Sequence, residues 1–169
     1  MSYEIHAIQE RPPLLASVTR RLIVMRHADS GHDYPNMSDH DRPLNARGQR
    51  DAPRMADALS EGNWLPQLIL VSSATRTLET LEGMSPHMDD ARIDVRPEIY
   101  HAGISTMLTQ LEDMLGDGTT MILGHNPGSE NLINHLTGEW HEMPTAAAAL
   151  LVKTSDGWIV EGVLRPREL

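Results

Sequence analysis

The residue types best suited to chemistry stand at the ends of three short apolar runs. They are Arg26 and His27 after residues 21–25, Arg76 soon after residues 68–71, and His125 soon after residues 119–123. An imidazole can act as a nucleophile, a base or a metal ligand. A guanidinium binds phosphate in a bidentate manner, so the arginines favour an anionic substrate.

The stretch at residues 22–27, Leu-Ile-Val-Met-Arg-His, is the most informative of the three. Its apolar and β-branched residues predict a buried strand, and the small or turn-forming residues 28–31 indicate that this strand ends at Arg26 and His27. In open α/β sheets, ligands bind at the carboxyl ends of the strands. We expect Arg76 and His125 to reach the same edge of the sheet.

Helical segments separate the apolar runs. The pattern predicts helices over residues 46–59, 74–83, 104–115 and 129–136, a further strand over 93–95, and a terminal hairpin formed by 146–153 and 158–164. Strands that alternate with helices predict an α/β fold. We expect a three-layer α/β/α sandwich, with a mostly parallel central sheet and helices on both faces.

Local features of this pattern carry further expectations. Asn45 is predicted to cap the first helix, and Pro53 is expected to kink or split it. The polar segment 31–43 is long for a connection, and long loops are often functional. Residues 1–20 are interpreted as an N-terminal extension, which places the domain at residues 21–169.

The composition is that of an ordinary globular protein and excludes several classes of function. A chain of 169 residues, 40% hydrophobic and 22% charged, is most simply one domain. The net charge of -10 argues against a general affinity for nucleic acid or anionic membranes. The absence of cysteine excludes disulfides, thiolate metal sites and a cysteine nucleophile. Because neither a membrane span nor a secretory signal is evident, we expect a cytoplasmic protein.

Four short motifs follow one another along the chain. They are Arg26-His27-Ala28, the segment 41–48 that opens the first helix, the segment 73–77 with Thr80, and the segment 124–128, Gly-His-Asn-Pro-Gly. In this order they resemble the RHG/RHA, loop, second arginine and second histidine motifs of the histidine phosphatase superfamily. That superfamily has a phosphoglycerate mutase-like fold, and within it the chain resembles the short bacterial phosphohistidine phosphatases of the SixA type. The resemblance covers about residues 21–164.

The resemblance implies that His27 attacks phosphorus and becomes a phosphohistidine, which water then hydrolyses. Neutral imidazole is a good nucleophile near pH 7, and two displacements ease each barrier. Arg26 and Arg76 would clamp the phosphoryl oxygens, and a protonated His125 would add a further positive donor. No metal or other cofactor is implied. The partner would be a phosphorylated small molecule or a phosphohistidine protein domain.

The leaving group raises a separate question, because an oxygen leaving group benefits from a general acid. Many members of the superfamily place a carboxylate after the third strand. Glu98 lies in roughly that region, so the resemblance suggests Glu98 as the acid. An imidazole departs more readily than an alkoxide. A weak or absent acid would therefore favour phosphoramidates, whereas a well-placed acid would widen the range to phosphate esters.

Other polar residues receive structural interpretations. Arg42 and Arg47 are expected to hold the loop and the first helix together, and Asp29 is expected to point outward or to bond the turn. The histidines and acids of the 31–43 loop lack the spacing of a metal-ligand motif. Three further histidines are expected to be structural or exposed: His101, His135 and His141.

Three alternative functions stay open. A phosphomutase would use the same machinery, but the chain lacks the long insertions expected to hold a sugar phosphate while it reorients. A non-catalytic phosphohistidine- or phosphopeptide-binding protein would lack one of the four residues Arg26, His27, Arg76 and His125, and none is missing. A metal hydrolase would be inhibited by chelators.

Overall fold

A six-stranded sheet lies at the centre of the computed structural model, which describes residues 19–169. The strands are β1 (Arg20–Arg26), β2 (Leu68–Val71), β3 (Arg92–Val95), β4 (Gly118–Gly124), β5 (Ala148–Thr154) and β6 (Gly157–Leu164). Their order is β3-β2-β4-β1-β5-β6. The first four run parallel, and the hairpin of β5 and β6 adds antiparallel pairs. The predicted extension at residues 1–20 lies outside the described residues except for Thr19 and Arg20.

Four helices cover the two faces of the sheet. They are α1 (Ala46–Glu61), α2 (Thr75–Gly83), α3 (Ile104–Leu111) and α4 (Gly128–Thr137), and short 3-10 helices lie at Asp39–Asp41, Pro97–Ile99 and Pro166–Glu168. The predicted three-layer α/β/α architecture with a mostly parallel sheet is thus confirmed. Between residues 19 and 169, no helix has the length and apolar character that a membrane span requires.

The alternation of β1 divides the interior into two cores. Leu22 and Val24 are fully buried on the face covered by α3 and α4, whereas Ile23 and Met25 are fully buried on the face covered by α1 and α2. Each such side chain contributes roughly 1.5–3 kcal/mol of burial free energy. A slip of one residue would exchange the two faces, so packing fixes the register that places Arg26 and His27.

Two predicted helices differ from the observed ones. Helix α1 continues without interruption through Pro53, so the expected split is wrong. Its buried face, which includes Met55 and Leu59, packs against the sheet and outweighs the one hydrogen bond that proline removes. Helix α3 ends at Leu111 instead of residue 115, although Met114 and Leu115 still pack on the same core. Apolar spacing here reports burial rather than helical hydrogen bonding.

The start of α1 packs tightly against the turn that follows β1. Asn45 caps the helix as predicted, because its Oδ1 accepts a hydrogen bond from the Gly48 N–H at 2.9 Å. The Asn45 side-chain amide and backbone N–H donate to Oδ2 and the backbone oxygen of Asp29, at 2.6 and 3.1 Å. Asp29 therefore bonds the turn, as expected. A Cβ atom on Gly48 would overlap the Asp29 carbonyl oxygen, so only glycine permits this approach.

We expect Gly48→Ala to lower the free energy of unfolding by about 1–3 kcal/mol, because the overlap must be relieved by shifting backbone. Urea denaturation measures the change. Gly116→Ala is the matched control, since a Cβ there would meet only the flexible Arg20 side chain, at 3.6 Å. Equal stability of the two variants would contradict the role given to Gly48.

Candidate active site

The pairing of β1 with β4 brings two histidines side by side. These strands are parallel, and their register aligns Arg26 with Gly124, so His27 and His125 leave adjacent strand ends together. The backbone N–H of His27 donates to the Gly124 carbonyl oxygen at 3.0 Å. The centroids of the two imidazole rings are 5.3 Å apart. The register of β1 and β4 therefore accounts for the proximity of His27 and His125.

Arg76 arrives from the neighbouring strand. Strand β2 pairs with β4 so that Val71 lies opposite Leu123, and the chain turns into α2 immediately afterwards. Arg76 lies in the first turn of α2, and only 4% of the residue is exposed. A cavity of about 360 Å³ joins the four predicted residues; it is lined by Arg26, His27, Asp29, Ser30, His32, Asp39, Arg42, Arg76, His101, His125, Asn126 and Thr145.

The His27 ring is held in one tautomer. Its Nδ1 lies 2.7 Å from the backbone oxygen of Ala28. A carbonyl oxygen can only accept a hydrogen bond, so Nδ1 carries the proton and Nε2 keeps its lone pair. The Ala28 N–H in turn donates to Oγ1 of Thr80 at 2.9 Å, and that hydroxyl donates to the Arg76 carbonyl oxygen at 2.7 Å. The acceptor that orients His27 is thus tied to α2.

Burial keeps both histidines neutral near pH 7. It lowers the pKa of His27 to about 4, and the positive charges of Arg76, Arg26 and Arg42 act in the same direction. The pKa of His125 falls to about 3, first through burial and then through His27 and Arg76. A neutral His125 differs from the protonated donor that the resemblance implies, although a neutral imidazole still offers one N–H.

Several buried side-chain nitrogens of residues around the cavity have no partner within residues 19–169. Within residues 19–169, no hydrogen bond reaches Nε of Arg26, Nε of Arg76 or Nδ1 of His125, and all three residues line the cavity. The other ring nitrogen of His125, Nε2, lies 2.8 Å from Oγ of Ser72. Buried polar atoms are rarely left unpaired. A ligand with several acceptor oxygens, such as a phosphoryl group, would accept hydrogen bonds from the two arginines, and from His125 in the tautomer that carries its proton on Nδ1.

Asp39 is a site residue that the sequence does not single out. Its backbone oxygen and Oδ2 accept hydrogen bonds from the Arg76 guanidinium at 2.8 and 3.1 Å, and its Oδ1 accepts one from Arg42 at 3.0 Å. The Tyr100 hydroxyl donates to Oδ2 at 2.5 Å. The Tyr100 hydrogen bond, with Arg42 and Arg76, holds the pKa of this carboxyl well below its usual range. These contacts with Asp39 use two of the five N–H donors of the Arg76 guanidinium and leave three. Its spacing of three residues from Arg42 is compatible with a local ion pair but does not indicate that Asp39 contacts Arg76.

The two predicted loop arginines have different places. Nη1 of Arg42 donates to Oγ of Ser30 and to the backbone oxygen of Gly31, both at 2.9 Å, so it holds the loop as expected and also lines the cavity. Arg47 is exposed and reaches Asp51 of the same helix at 3.7 Å. It does not line the cavity.

Glu98 and His101 occupy places that differ from those expected. Glu98 is exposed on the 3-10 helix Pro97–Ile99 and is not among the residues that line the cavity. Its role as the acid stays a prediction without support from the geometry. His101, expected to be structural or exposed, is exposed but lines the cavity. Between residues 19 and 169, no group of three or more histidine or acidic residues is placed to hold a metal ion.

The fold and the cavity together define a phosphoglycerate mutase-like α/β protein with two histidines and two arginines at one sheet edge. The sequence model of the histidine phosphatase superfamily (branch 1) matches residues 22–114. The chain belongs to this family.

Similar solved structures extend over most of the chain. A candidate phosphohistidine phosphatase SixA from Agrobacterium tumefaciens is 28% identical, with a TM-score of 0.79 over 86% of this chain and 97% of that protein. A protein histidine phosphatase SixA complexed with tungstate is 25% identical, with a TM-score of 0.72 over 88% and 98% of the two chains. An uncharacterized chloroplastic protein of Arabidopsis thaliana is 37% identical over 89% of this chain and 79% of its own length.

The buried state of His27 predicts a pH-dependent stability. An unfolded histidine binds its proton near pH 6.5, but folded His27 binds it only near pH 4. Between these values the unfolded state carries the extra proton, so stability is lost as the pH falls from 6.5 towards 4. We expect this loss to be smaller in His27→Gln by up to roughly 3 kcal/mol, because each pH unit is worth about 1.4 kcal/mol.

Urea denaturation across this pH range measures the difference. His135→Gln is the control, because His135 is exposed on α4 and should leave the pH dependence of the wild type unchanged. Parallel curves for wild type and His27→Gln would show that His27 is not held neutral by the fold.

Proposed function

We propose that the protein is a metal-independent phosphatase that hydrolyses a phosphohistidine or a small phosphomonoester through a covalent phosphohistidine on His27. One observation carries the proposal. The contact of 2.7 Å between Nδ1 of His27 and the Ala28 oxygen leaves Nε2 with its lone pair, in a cavity that also holds Arg26 and Arg76. A nucleophile and its phosphate-binding cations are thereby joined in one place.

In the first step, the Nε2 lone pair of His27 forms a bond to phosphorus, and the bond to the leaving group breaks with its electron pair. Positive charge then develops on the ring, and the Ala28 oxygen stabilises it through the Nδ1 proton. In the second step, water attacks phosphorus, the N–P pair returns to Nε2, and inorganic phosphate leaves. Arg26 and Arg76 offset the charge on the phosphoryl oxygens in both steps.

The electrostatics of the cavity suit this chemistry. A pKa of about 4 leaves His27 unprotonated and nucleophilic at neutral pH. Arg26 and Arg76, which contribute to the low pKa of His27, are the same groups that would bind the phosphoryl oxygens. The two cations would therefore keep the nucleophile unprotonated and position the phosphorus that it attacks. The tungstate bound to the similar SixA structure supports an oxyanion as the ligand class. A cytoplasmic location stays a prediction.

The alternatives are distinguished by activity. A phosphomutase would return a phosphorylated isomer instead of inorganic phosphate, and a binding protein would release neither. A metal hydrolase would lose activity with a chelator, whereas we expect phosphate release to be insensitive to one.

We expect His27→Gln to abolish turnover of p-nitrophenyl phosphate, because glutamine cannot form the phosphoenzyme. Rapid quenching of the wild type with ³²P-labelled substrate should trap one acid-labile, base-stable phosphoryl group per chain, and peptide mapping should place it on His27. His135→Gln is the control and should retain the trapped group. Near-normal turnover by His27→Gln would refute the mechanism.

Inhibition by tungstate tests the arginine directly. We expect Arg76→Gln to weaken it by about 10- to 100-fold, since a lost charge-assisted hydrogen bond is worth about 1.5–3 kcal/mol. Arg47→Gln removes an arginine that does not line the cavity and should bind tungstate as the wild type does. Equal weakening in both variants would indicate a general effect of net charge. Circular dichroism confirms that each variant is folded.

A further inference from the structure

A second cavity adjoins the one that contains His27. It has a volume of about 440 Å³, and its lining includes the apolar side chains of Ile99 and Met107. Three residues line both cavities: His101, His125 and Asn126. A phosphoryl group held beside His27 needs space for the rest of its substrate, and the adjoining cavity provides it. The junction of the two cavities is then the place of the leaving atom.

Of the three shared residues, His101 is the one available to supply a proton. Burial keeps His125 neutral, and one of its ring nitrogens already contacts Ser72. Asn126 carries an amide, which does not titrate. The His101 side chain is 66% exposed, and its ring stacks on Tyr100 with centroids 4.0 Å apart. Water and substrate can therefore both reach it.

The backbone and the surroundings hold His101 at this junction. Its φ is +58°, a left-handed conformation that few non-glycine residues adopt and that recurs at active sites. Its Nε2 lies 3.6 Å from Oδ2 of Asp39, so a carboxylate faces the ring at the distance of an ion pair. The ring of His101 is thus held beside the negative charge of a carboxylate at the junction of the two cavities.

We propose that His101 is the general acid that protonates the leaving oxygen of a phosphate monoester; this inference rests on the function proposed above. As the P–O bond breaks, the leaving oxygen takes its electron pair together with a proton from the His101 imidazolium, and an alcohol or phenol departs. Neutral His101 then accepts a proton from the water that attacks phosphorus, which restores the imidazolium as phosphate is released.

The carboxylates near the cavity are less suited to this role. Asp39 is bound by Arg76, Arg42 and Tyr100, and these contacts keep it ionised. Asp29 accepts a hydrogen bond from Asn45 at 2.6 Å. Glu98 lines neither cavity, and His32 lines only the first.

An acid at the junction has a consequence for the substrate class. A phosphoramidate whose leaving nitrogen is already protonated does not need this acid, but esters of poorly acidic alcohols do. The site therefore extends to phosphate monoesters whose organic part is compact enough for a cavity of about 440 Å³ and partly apolar.

The dependence of rate on the leaving group tests the inference. The burst of phenol in the first turnover is measured with 2,4-dinitrophenyl phosphate, whose leaving group needs no proton, and with phenyl phosphate, whose leaving group does. We expect His101→Gln to keep a burst rate within about threefold of wild type on the first substrate and to lose about 100- to 1000-fold on the second. His135→Gln is the matched control and should change neither rate.

Three results would overturn the inference. They are an equal loss on both substrates in His101→Gln, no loss on either, and a selective loss on phenyl phosphate in Glu98→Gln or His32→Gln instead. The burst on 2,4-dinitrophenyl phosphate also shows that a variant is folded and forms the phosphoenzyme. Failure of the proposed function would look different from failure of this inference, because the wild type itself would then show no burst of phenol and would form no phosphoenzyme on His27.

Discussion

The parallel pairing of β1 with β4 is the constraint on which the rest of the site depends. It aligns Arg26 with Gly124, so that both histidines leave the sheet as neighbours. Four fully buried side chains of β1 fix this register, because a shift of one residue would exchange the two hydrophobic cores. The stability of the interior and the geometry of the cavity are therefore set by the same interactions.

Around this pairing, hydrogen bonds to main-chain groups fix the orientation of the residues that the two strands bring together. The Ala28 carbonyl selects the His27 tautomer, and Thr80 ties Ala28 to the helix that carries Arg76. The close approach of α1, possible only at Gly48, holds the next residue of the turn, Asp29. Each contact uses a main-chain group, so the orientation of the His27 ring depends little on the flexible parts of side chains.

Charge in the cavity is balanced from within the chain. The loop that follows β1 places the Asp39 carboxylate between Arg76, Arg42 and Tyr100, close to His101. The two arginines are thereby partly neutralised by a carboxylate of the chain itself, which also lies 3.6 Å from Nε2 of His101. Nε of Arg76, Nε of Arg26 and Nδ1 of His125 have no hydrogen-bond partner within residues 19–169, so they are available to the phosphoryl ligand proposed above.

The sequence by itself determined the α/β class, the strands, and the convergence of Arg26, His27, Arg76 and His125, because each follows a short apolar run whose period and composition are local. It predicted a kink or split at Pro53 and a helix α3 that extends to residue 115. Helix α1 is instead unbroken and α3 ends at Leu111, because packing on the sheet overrides local propensity and spacing. Only the tertiary structure decided that Asp39 and His101 line the cavity and that Glu98 does not. Those places depend on how loops far apart in the chain meet, and no spacing rule encodes that. The neutral state of the two histidines has the same origin, because burial is a property of the assembled fold.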